Sequence, residues 1–236
     1  GNEMEVYRDM CEPSPGYVYS GQLNGLVKAK VPDSQIANGV FITEVRPNDI
    51  NRSSVYGISD DLMECVEVVN TTDHDVDLNN EYQFGYEVKE GSRKILDVSR
   101  YDENTESGIG SSDNCVIPAG KTAVIWFYRI NFLKNYTSFP TEKEFRDSYK
   151  ISEDVPVYLV TGQNGINKTN RSVEIYKKNS DGTRKIVSNY CYVGNSDCKD
   201  NKSAELMVNP EGPEMLLKTA NAATSMGNAS TEQYTY

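Results

Sequence analysis

Short apolar runs separated by polar turns make up most of the chain. Many of these runs alternate between apolar and polar positions, a pattern that predicts β-strands, and they end in Asn, Asp, Gly or Pro, which favour turns. The predicted strands cover residues 39–45, 62–70, 81–88, 115–128 (split by Pro118-Ala119-Gly120), 155–161, 172–177, 185–192 and 204–208. Strands at this spacing predict an all-β sandwich or barrel.

The strand over residues 62–70 has two faces of different character. Val66 and Val68 fall on one face, and Cys65, Glu67 and Val69 fall on the other. The first face predicts a contact with the core. Cys65 is expected to pack as a small buried hydrophobe.

One segment departs from the β pattern. Thr141 and Glu144 have the spacing of a capping box, in which the hydroxyl and the carboxylate satisfy backbone N–H groups at a helix start. Phe145 and Tyr149 then lie four residues apart and would share a helix face. A short helix is therefore predicted over residues 141–150.

The distribution of Pro and Gly suggests the domain boundaries. Residues 1–38 contain three Pro and four Gly and only short apolar runs, which is typical of an irregular arm or linker. The ordered domain is predicted over residues 39–208. Residues 209–236 are predicted to form a loop-like C-terminal tail or linker.

Composition supports the β prediction. Val and Ile together number 35 and Tyr numbers 16, whereas Leu and Ala together number only 19. β-Branched and aromatic side chains suit strands, and Leu and Ala suit helices.

Charge and hydropathy exclude two classes of partner. The chain has 24 Lys and Arg against 35 Asp and Glu, a formal net charge of −11. Nucleic acid is therefore not expected as a partner, since phosphate binding needs clustered basic residues. The longest apolar stretches, such as residues 122–128, are far shorter than the roughly 20 residues that cross a bilayer. No transmembrane segment is predicted.

The cysteines show no metal-binding pattern. They are Cys11, Cys65, Cys115, Cys191 and Cys198, without a CxxC pair and without a His at ligand spacing. Cys191 and Cys198 flank a polar turn, so either a hairpin-closing disulfide or two free thiols fits the sequence.

The candidate chemistry is sparse. Asp73, Asp75 and Asp77 alternate around the only histidine, His74, and are weak candidates for a hard cation such as calcium. The Gly and Glu of a calcium loop are missing, so a solvated loop is the favoured interpretation. A Ser-His-Asp triad could be built only on His74. We predict no catalytic residue, no cofactor and no metal.

Three further patterns have structural interpretations that we prefer. Residues 161–169 (TGQNGINKT) nearly match a phosphate-binding loop, but Asn167 replaces the second Gly and a β-like segment follows, which favours a plain turn. Glu64 and Glu67 lie three apart in a strand and should point to opposite faces, so they cannot form a carboxylate dyad. Trp126 lies in the run VIWFY and is expected in the core.

Four motifs in order resemble the lamin tail domain, an immunoglobulin-like β-sandwich. FITEVRPND (residues 41–49) resembles its opening strand, and MECVEVVNTTDHDVDLNN (residues 63–80) resembles its second strand and following turn. CVIPAGKTAVIWF (residues 115–127) resembles its I-P-A-G motif, and SVEIYKKNSDGTRKIVSNYCY (residues 172–192) resembles its hairpin. The chain differs from nuclear lamins in having no coiled-coil heptads and in carrying a long insertion, at about residues 128–155, that holds the predicted helix. It is more similar to bacterial versions of the domain.

The resemblance implies an immunoglobulin-like β-sandwich with one short inserted helix and a non-catalytic role. Bacterial versions occur in secreted or surface-attached proteins beside calcineurin-like phosphoesterase or nuclease/phosphatase domains, so the chain is expected to be a slice of a longer protein. The implied partners are neighbouring domains of the same polypeptide, or an extracellular protein or glycan.

Two alternatives stay open at this point. A carbohydrate- or polymer-binding module would carry three or more exposed Tyr on one sheet face. A metal-dependent hydrolase would use Asp73, Asp75 and Asp77, and Asp75→Ala would abolish its turnover of a phosphoester.

Overall fold

The fold is all-β with short helices between strands, as the sequence predicts. A computed structural model describes residues 35–57, 62–89, 91–131, 138–163, 165–166 and 171–236. The chain divides into one unit of Gly1–Ile36 with Tyr236 and a second unit of Ala37–Thr235. All strands and helices of the described residues belong to the second unit. The irregular arm predicted over residues 1–38 lies outside the described residues as far as residue 34.

Thirteen strands and three helices can be assigned in the described residues. The strands are β1 Val40–Arg46, β2 Cys65–Asn70, β3 Val76–Asp77, β4 Tyr82–Lys89, β5 Ser92–Leu96, β6 Val98–Arg100, β7 Val116–Ile117, β8 Thr122–Phe127, β9 Val157–Val160, β10 Arg171–Lys178, β11 Arg184–Tyr192, β12 Ser203–Met207 and β13 Leu216–Ala222. The helices are α1 Ile50–Ser53, α2 Glu142–Tyr149 and α3 Gly194–Asp197, with 3₁₀ turns at Ser54–Tyr56 and Thr231–Gln233.

Two main sheets pack into a sandwich. The seven-stranded sheet has the order β13-β12-β1-β2-β8-β9-β6, and the four-stranded sheet has the order β11-β10-β4-β5. A small third sheet pairs β3 with β7. Val66 and Ile125 of the larger sheet and Phe84 and Ile175 of the smaller one belong to one buried cluster. The predicted sandwich is therefore confirmed, and its core lies between these two sheets.

The structure confirms the two faces of β2 that the alternation pattern predicts. Val66 and Val68 point into the core between the sheets, whereas Cys65 belongs to a separate apolar cluster on the other face. Val76 and Leu78 are also buried in the core, where they hold the polar turn after β2 against the sandwich.

The strand pair predicted over residues 115–128 needs a correction. Both strands form, but they do not pair with each other, because β7 pairs with β3 and β8 pairs with β2. The turn at Pro118-Ala119-Gly120 therefore passes the chain from the small sheet to the seven-stranded sheet. Gly120 has a φ of 68°, which explains the glycine at this turn.

Helix α2 confirms the predicted helix and its start. The Thr141 side chain accepts a hydrogen bond from the Glu144 amide, and the Glu144 carboxylate accepts one from the Thr141 amide, so the capping box is complete. The helix lies between β8 and β9, which pair in parallel. Parallel neighbours need a crossover connection, and the insertion supplies it. No helix in the described part of the chain is long and apolar enough to cross a bilayer.

The loop-like C-terminal tail expected from residue 209 is wrong. Residues 216–222 form β13, which pairs with β12 at the edge of the seven-stranded sheet. Most of β13 is exposed, so it has no burial pattern for the sequence to reveal. The short strands β5 and β6 were missed for a similar reason, since exposed charged residues interrupt them.

Removing buried volume at the centre of the sandwich should destabilise the fold. Ile125 and Val68 are both 0% exposed in the core. We expect Ile125→Ala and Val68→Ala each to lower the free energy of unfolding by about 2–4 kcal/mol, measured by urea denaturation, because a cavity forms. The exposed Lys185 of β11 provides a control, Lys185→Ala, that should have little effect. Losses below about 0.5 kcal/mol at both core sites would contradict this assignment of the core.

Candidate functional site

A second apolar layer covers the outer face of the seven-stranded sheet, the face that points away from the four-stranded sheet. Trp126 of β8 stacks on Phe145 of α2 with ring centroids 4.3 Å apart, and its indole nitrogen donates a hydrogen bond to the Leu62 carbonyl at 2.7 Å. Trp126 is fully buried, so the prediction that it belongs to the core is confirmed.

A buried charged network joins this layer to β1, and we call it the Asp49 hub (Arg46, Asp49, Arg52 and Tyr149). Asp49 caps α1, because its Oδ1 accepts a hydrogen bond from the Arg52 amide at 3.1 Å. Its Oδ2 accepts hydrogen bonds from Arg46 Nε at 2.7 Å and Arg52 Nη1 at 2.6 Å. The Tyr149 hydroxyl lies 3.0 Å from the same Oδ2 and 2.6 Å from the Met63 carbonyl, so its one proton serves two acceptors. The hub thereby connects β1, α1 and α2.

The hub contains two guanidinium groups and one carboxylate, so it carries one positive charge in excess. Burial alone would raise the pKa of Asp49, but Arg46 and the amide and guanidinium of Arg52 outweigh burial and lower it. Asp49 is therefore ionised at neutral pH and faces two guanidinium groups. Because its pKa is lowered, the stabilisation it provides is present above its ordinary pKa of 3.8 and is lost as the pH falls below that value.

An open groove lies beside the hub and is the candidate functional site. It is lined by Asn51, Arg52, Val55, Tyr56 and Ser148 and has a volume of about 470 Å³. Arg52 Nε donates a hydrogen bond to the Ser148 carbonyl at 3.0 Å. Val55 is 79% exposed, so an apolar side chain stands in solvent at the edge of this groove.

Tyr149 packs against the Arg52 side chain that lines the groove. The Arg52 guanidinium lies 4.4 Å from the centre of the Tyr149 ring, within the range of a cation–π contact. Together with the bonds to Asp49 and Ser148, this contact holds the guanidinium in one orientation. The groove therefore offers a positioned cation beside exposed apolar surface, a combination that suits binding.

A second polar cluster on the outer face consists of two buried carboxylates. Glu44 of β1 and Glu67 of β2 are paired in register, and both are 0% exposed. Glu44 Oε2 accepts hydrogen bonds from the amide and the hydroxyl of Ser225 at 3.0 and 2.7 Å. Glu44 Oε1 has no hydrogen-bond partner among the described residues. Ser225 belongs to residues 224–228, which we call the strap.

The strap also closes over Glu67. The amides of Gly227 and Asn228 donate to Glu67 Oε2 at 2.6 and 2.9 Å, and the Thr43 hydroxyl donates to Oε1 at 2.6 Å. Burial and the neighbouring Glu44 nevertheless raise the pKa of Glu67 to about 8. The pair is thus expected to hold a proton at neutral pH. Its role is to fasten the strap to the sheet.

The aspartates that the sequence offers as weak candidates for metal ligands instead stabilise turns. Asp75 Oδ1 accepts a hydrogen bond from the Ala119 amide at 2.9 Å, and Asp77 Oδ1 accepts from the Asn79 amide at 2.8 Å. The Asp73 carboxylate lies 3.1 Å from the His74 ring. Within the described ranges, no three His, Cys, Asp or Glu side chains are arranged to hold a metal ion.

The remaining candidates are separated by the fold. Glu64 accepts a hydrogen bond from the Ile166 amide at 2.7 Å, on the other side of the sheet from the Glu67 cluster. Cys191 is exposed and Cys198 is buried, and both are free thiols, so the open question about a disulfide is answered in favour of thiols. The phosphate-loop-like segment is followed by β10 rather than a helix, although residues 164 and 167–170 lie outside the described residues.

The described residues contain no strip of three or more exposed tyrosines, the feature that a carbohydrate-binding module would carry. Every described Tyr within residues 37–235 is buried or half-buried. The aromatic residues in this part of the chain therefore mainly serve packing.

The hub and the carboxylate pair were not found from the sequence. The available signal was a charged residue within an otherwise apolar strand, such as Glu67 between Val66 and Val68. Such a residue needs buried partners if both faces of the sheet are covered. The partners themselves lie far away in sequence, 100 residues in the case of Asp49 and Tyr149.

Comparison of the chain with protein families, characterised proteins and solved structures finds no match. No relative therefore assigns a role to the residues of the groove.

Removing the Tyr149 hydroxyl should loosen the attachment of α2. We expect Tyr149→Phe to lower the free energy of unfolding by about 1–3 kcal/mol, because two buried acceptors lose a donor while the ring remains. Urea denaturation measures the change. Tyr234→Phe is the matched control, since the hydroxyl of this half-buried Tyr bonds to no described residue. Equal effects of the two substitutions would argue against the hub.

Glu67 should make stability depend on pH. Its pKa is raised from 4.5 to about 8 in the folded chain, so its contribution is complete below about 4.5 and is lost as the pH rises to about 8. We expect the free energy of unfolding to fall by up to about 1.4 kcal/mol per pH unit in this window. Glu67→Gln should flatten that slope, because the amide can accept from the strap and donate to Thr43.

His74 adds a second pH dependence to the free energy of unfolding, which has to be removed from this measurement. Hydrogen bonds to Asp73 and Glu81 raise the pKa of His74, which adds a slope of the same sign above its ordinary pKa of 6.5. The denaturation series is therefore run in a His74→Gln background. If Glu67→Gln leaves the slope unchanged there, the carboxylate pair does not hold the proton.

Proposed function

We propose that this chain is a non-catalytic interaction module of the lamin-tail type. It belongs to a larger bacterial protein that is secreted or attached to the cell surface. There it contacts a neighbouring domain of the same polypeptide or an extracellular protein, and so spaces or presents a hydrolase domain or grips a partner.

The motifs that carry the resemblance support this proposal by where they fall. FITEVRPND covers most of β1 and ends at Asp49 of the hub, and CVIPAGKTAVIWF spans β7, the turn and β8. SVEIYKKNSDGTRKIVSNYCY spans β10 and β11. Each motif thus contributes a strand or a turn that holds the sandwich together, which is what a structural scaffold requires. Function still has to be argued from a site, because one fold serves many functions.

The groove beside the Asp49 hub is the observation that carries the proposal. Val55 is 79% exposed, yet it stands beside Arg52, whose position is fixed by Asp49, Ser148 and Tyr149. An exposed apolar residue on a rigid base loses little entropy on binding. The charged side chains near Val55 already connect parts of the fold, since Asp49 accepts hydrogen bonds from both Arg46 and Arg52.

A crosslinking experiment tests this surface in the protein as its cells make it. A photo-crosslinking amino acid replaces Val55 in the chromosomal copy, and Val193 is replaced in the same way as a control. Val193 is also an exposed valine, 53% exposed, but it lies at the start of α3, outside the groove. We expect an adduct from position 55 and none from position 193.

The identity of the adduct separates the two versions of the proposal. A crosslink within the same polypeptide indicates a spacer that seats a neighbouring domain, and a crosslink to another protein indicates capture of a partner. Equal labelling from both positions, or no labelling from position 55, would contradict the groove as the contact surface. Phosphoester turnover that is lost in Asp75→Ala would instead support the hydrolase alternative.

A further inference from the structure

We propose that the groove binds one carboxylate, an Asp or Glu side chain in a neutral, apolar segment of a protein partner. Arg52 receives the carboxylate, and Val55 contacts an apolar neighbour of the acidic residue. This inference rests on the proposed function, since it names the chemistry of the partner that the module contacts.

The unused donors of Arg52 carry the argument. A guanidinium has five N–H groups in a planar fork. In Arg52, Nε donates to the Ser148 carbonyl and Nη1 donates to Asp49 Oδ2, whereas Nη2 donates to no described residue. The Arg52 side chain is 27% exposed and lines the groove. A fixed guanidinium with free donors in a groove is suited to a carboxylate, which it can bind through charge-assisted hydrogen bonds.

Other groups of the groove supply weaker polar contacts. The side-chain amide of Asn51 and the hydroxyl of Ser148 form no hydrogen bonds with described residues. Both can donate to an anionic oxygen and can adjust to its position. The groove thus presents two neutral donors close to a guanidinium.

The balance of charge selects a single carboxylate rather than an acidic tract. In the hub, Arg46 and Arg52 face one carboxylate, that of Asp49, so this place has a local positive excess. Glu144 lies near Tyr56, where its negative charge opposes further anionic groups at that end of the groove.

The whole chain carries a formal charge of −11, which repels a polyanionic partner over longer distances. Screening limits that repulsion to about 8 Å at physiological salt, so one carboxylate that reaches Arg52 still gains the local attraction.

The exposed Val55 side chain adds an apolar contact to the binding site. Its side chain is 79% exposed at the edge of the groove, and the half-buried Tyr56 follows it. A partner residue next to the carboxylate can bury apolar surface against this valine. Apolar contact and a carboxylate on adjacent residues together define the ligand.

A pair of synthetic peptides tests the assignment. One short, capped peptide has Glu between two leucines, and the other has Gln in its place. Each is titrated into the isotope-labelled chain, and NMR follows the backbone amides and the Arg52 Nε–H signal. We expect shifts confined to the groove and binding of the Glu peptide about tenfold tighter, the least that a charged hydrogen bond should provide.

Two substitutions in the groove, and one control outside it, sharpen the test. Val55→Asp places a negative charge at the edge of the groove without touching the core, and we expect it to abolish binding at unchanged melting temperature. Val193→Asp is the matched control and should bind as the unmodified chain does. Arg52→Lys keeps the charge but removes the fork, so it should bind the Glu peptide more weakly.

The outcomes separate this inference from the function on which it rests. Equal affinity for the Glu and Gln peptides, or shifts outside the groove, overturns the carboxylate assignment. If crosslinking from position 55 succeeds while the peptides are not distinguished, the module function stands and only the ligand chemistry is wrong. If both experiments fail, the groove is not a binding surface.

Discussion

Burial of the central strands of the seven-stranded sheet on both faces is the constraint on which the rest of the structure depends. All six residues of β2 and five of the six of β8 are buried, so neither face of these central strands is open to water. The four-stranded sheet covers one face, and α2 and the strap cover the other. Helix α2 lies in the crossover that the parallel pair β8 and β9 requires. One insertion thus supplies both the connection and the cover.

Because both faces are covered, the charged side chains in and beside these strands need buried partners. Asp49 is matched by two guanidinium groups, and Glu67 is matched by three donors. Glu44 is held by Ser225 of the strap. A buried charge that loses its partner is strongly destabilising, so these contacts attach distant segments firmly. The polar residues of the outer face therefore determine how α2 and the strap are fastened.

The proposed binding surface arises where this buried network meets solvent. Arg52 belongs to both, because one part of its guanidinium is bonded to Asp49 and another part lines the groove. The same contacts that stabilise the fold hold the cation in position for a ligand. Val55 stands next to it in solvent. The proposed contact therefore uses side chains that the fold already holds in place.

The sequence by itself determined the local features: the alternation set the two faces of β2, and the capping box set the start of α2 at Thr141. Only the tertiary structure decided that β8 and β9 are parallel, that exposed residues 216–222 form a strand, and that Asp49 meets Tyr149. The candidate site belongs to this second group. Periodicity and caps act over a few residues, whereas sheet order and the partner of a buried charge depend on contacts between residues far apart in the chain.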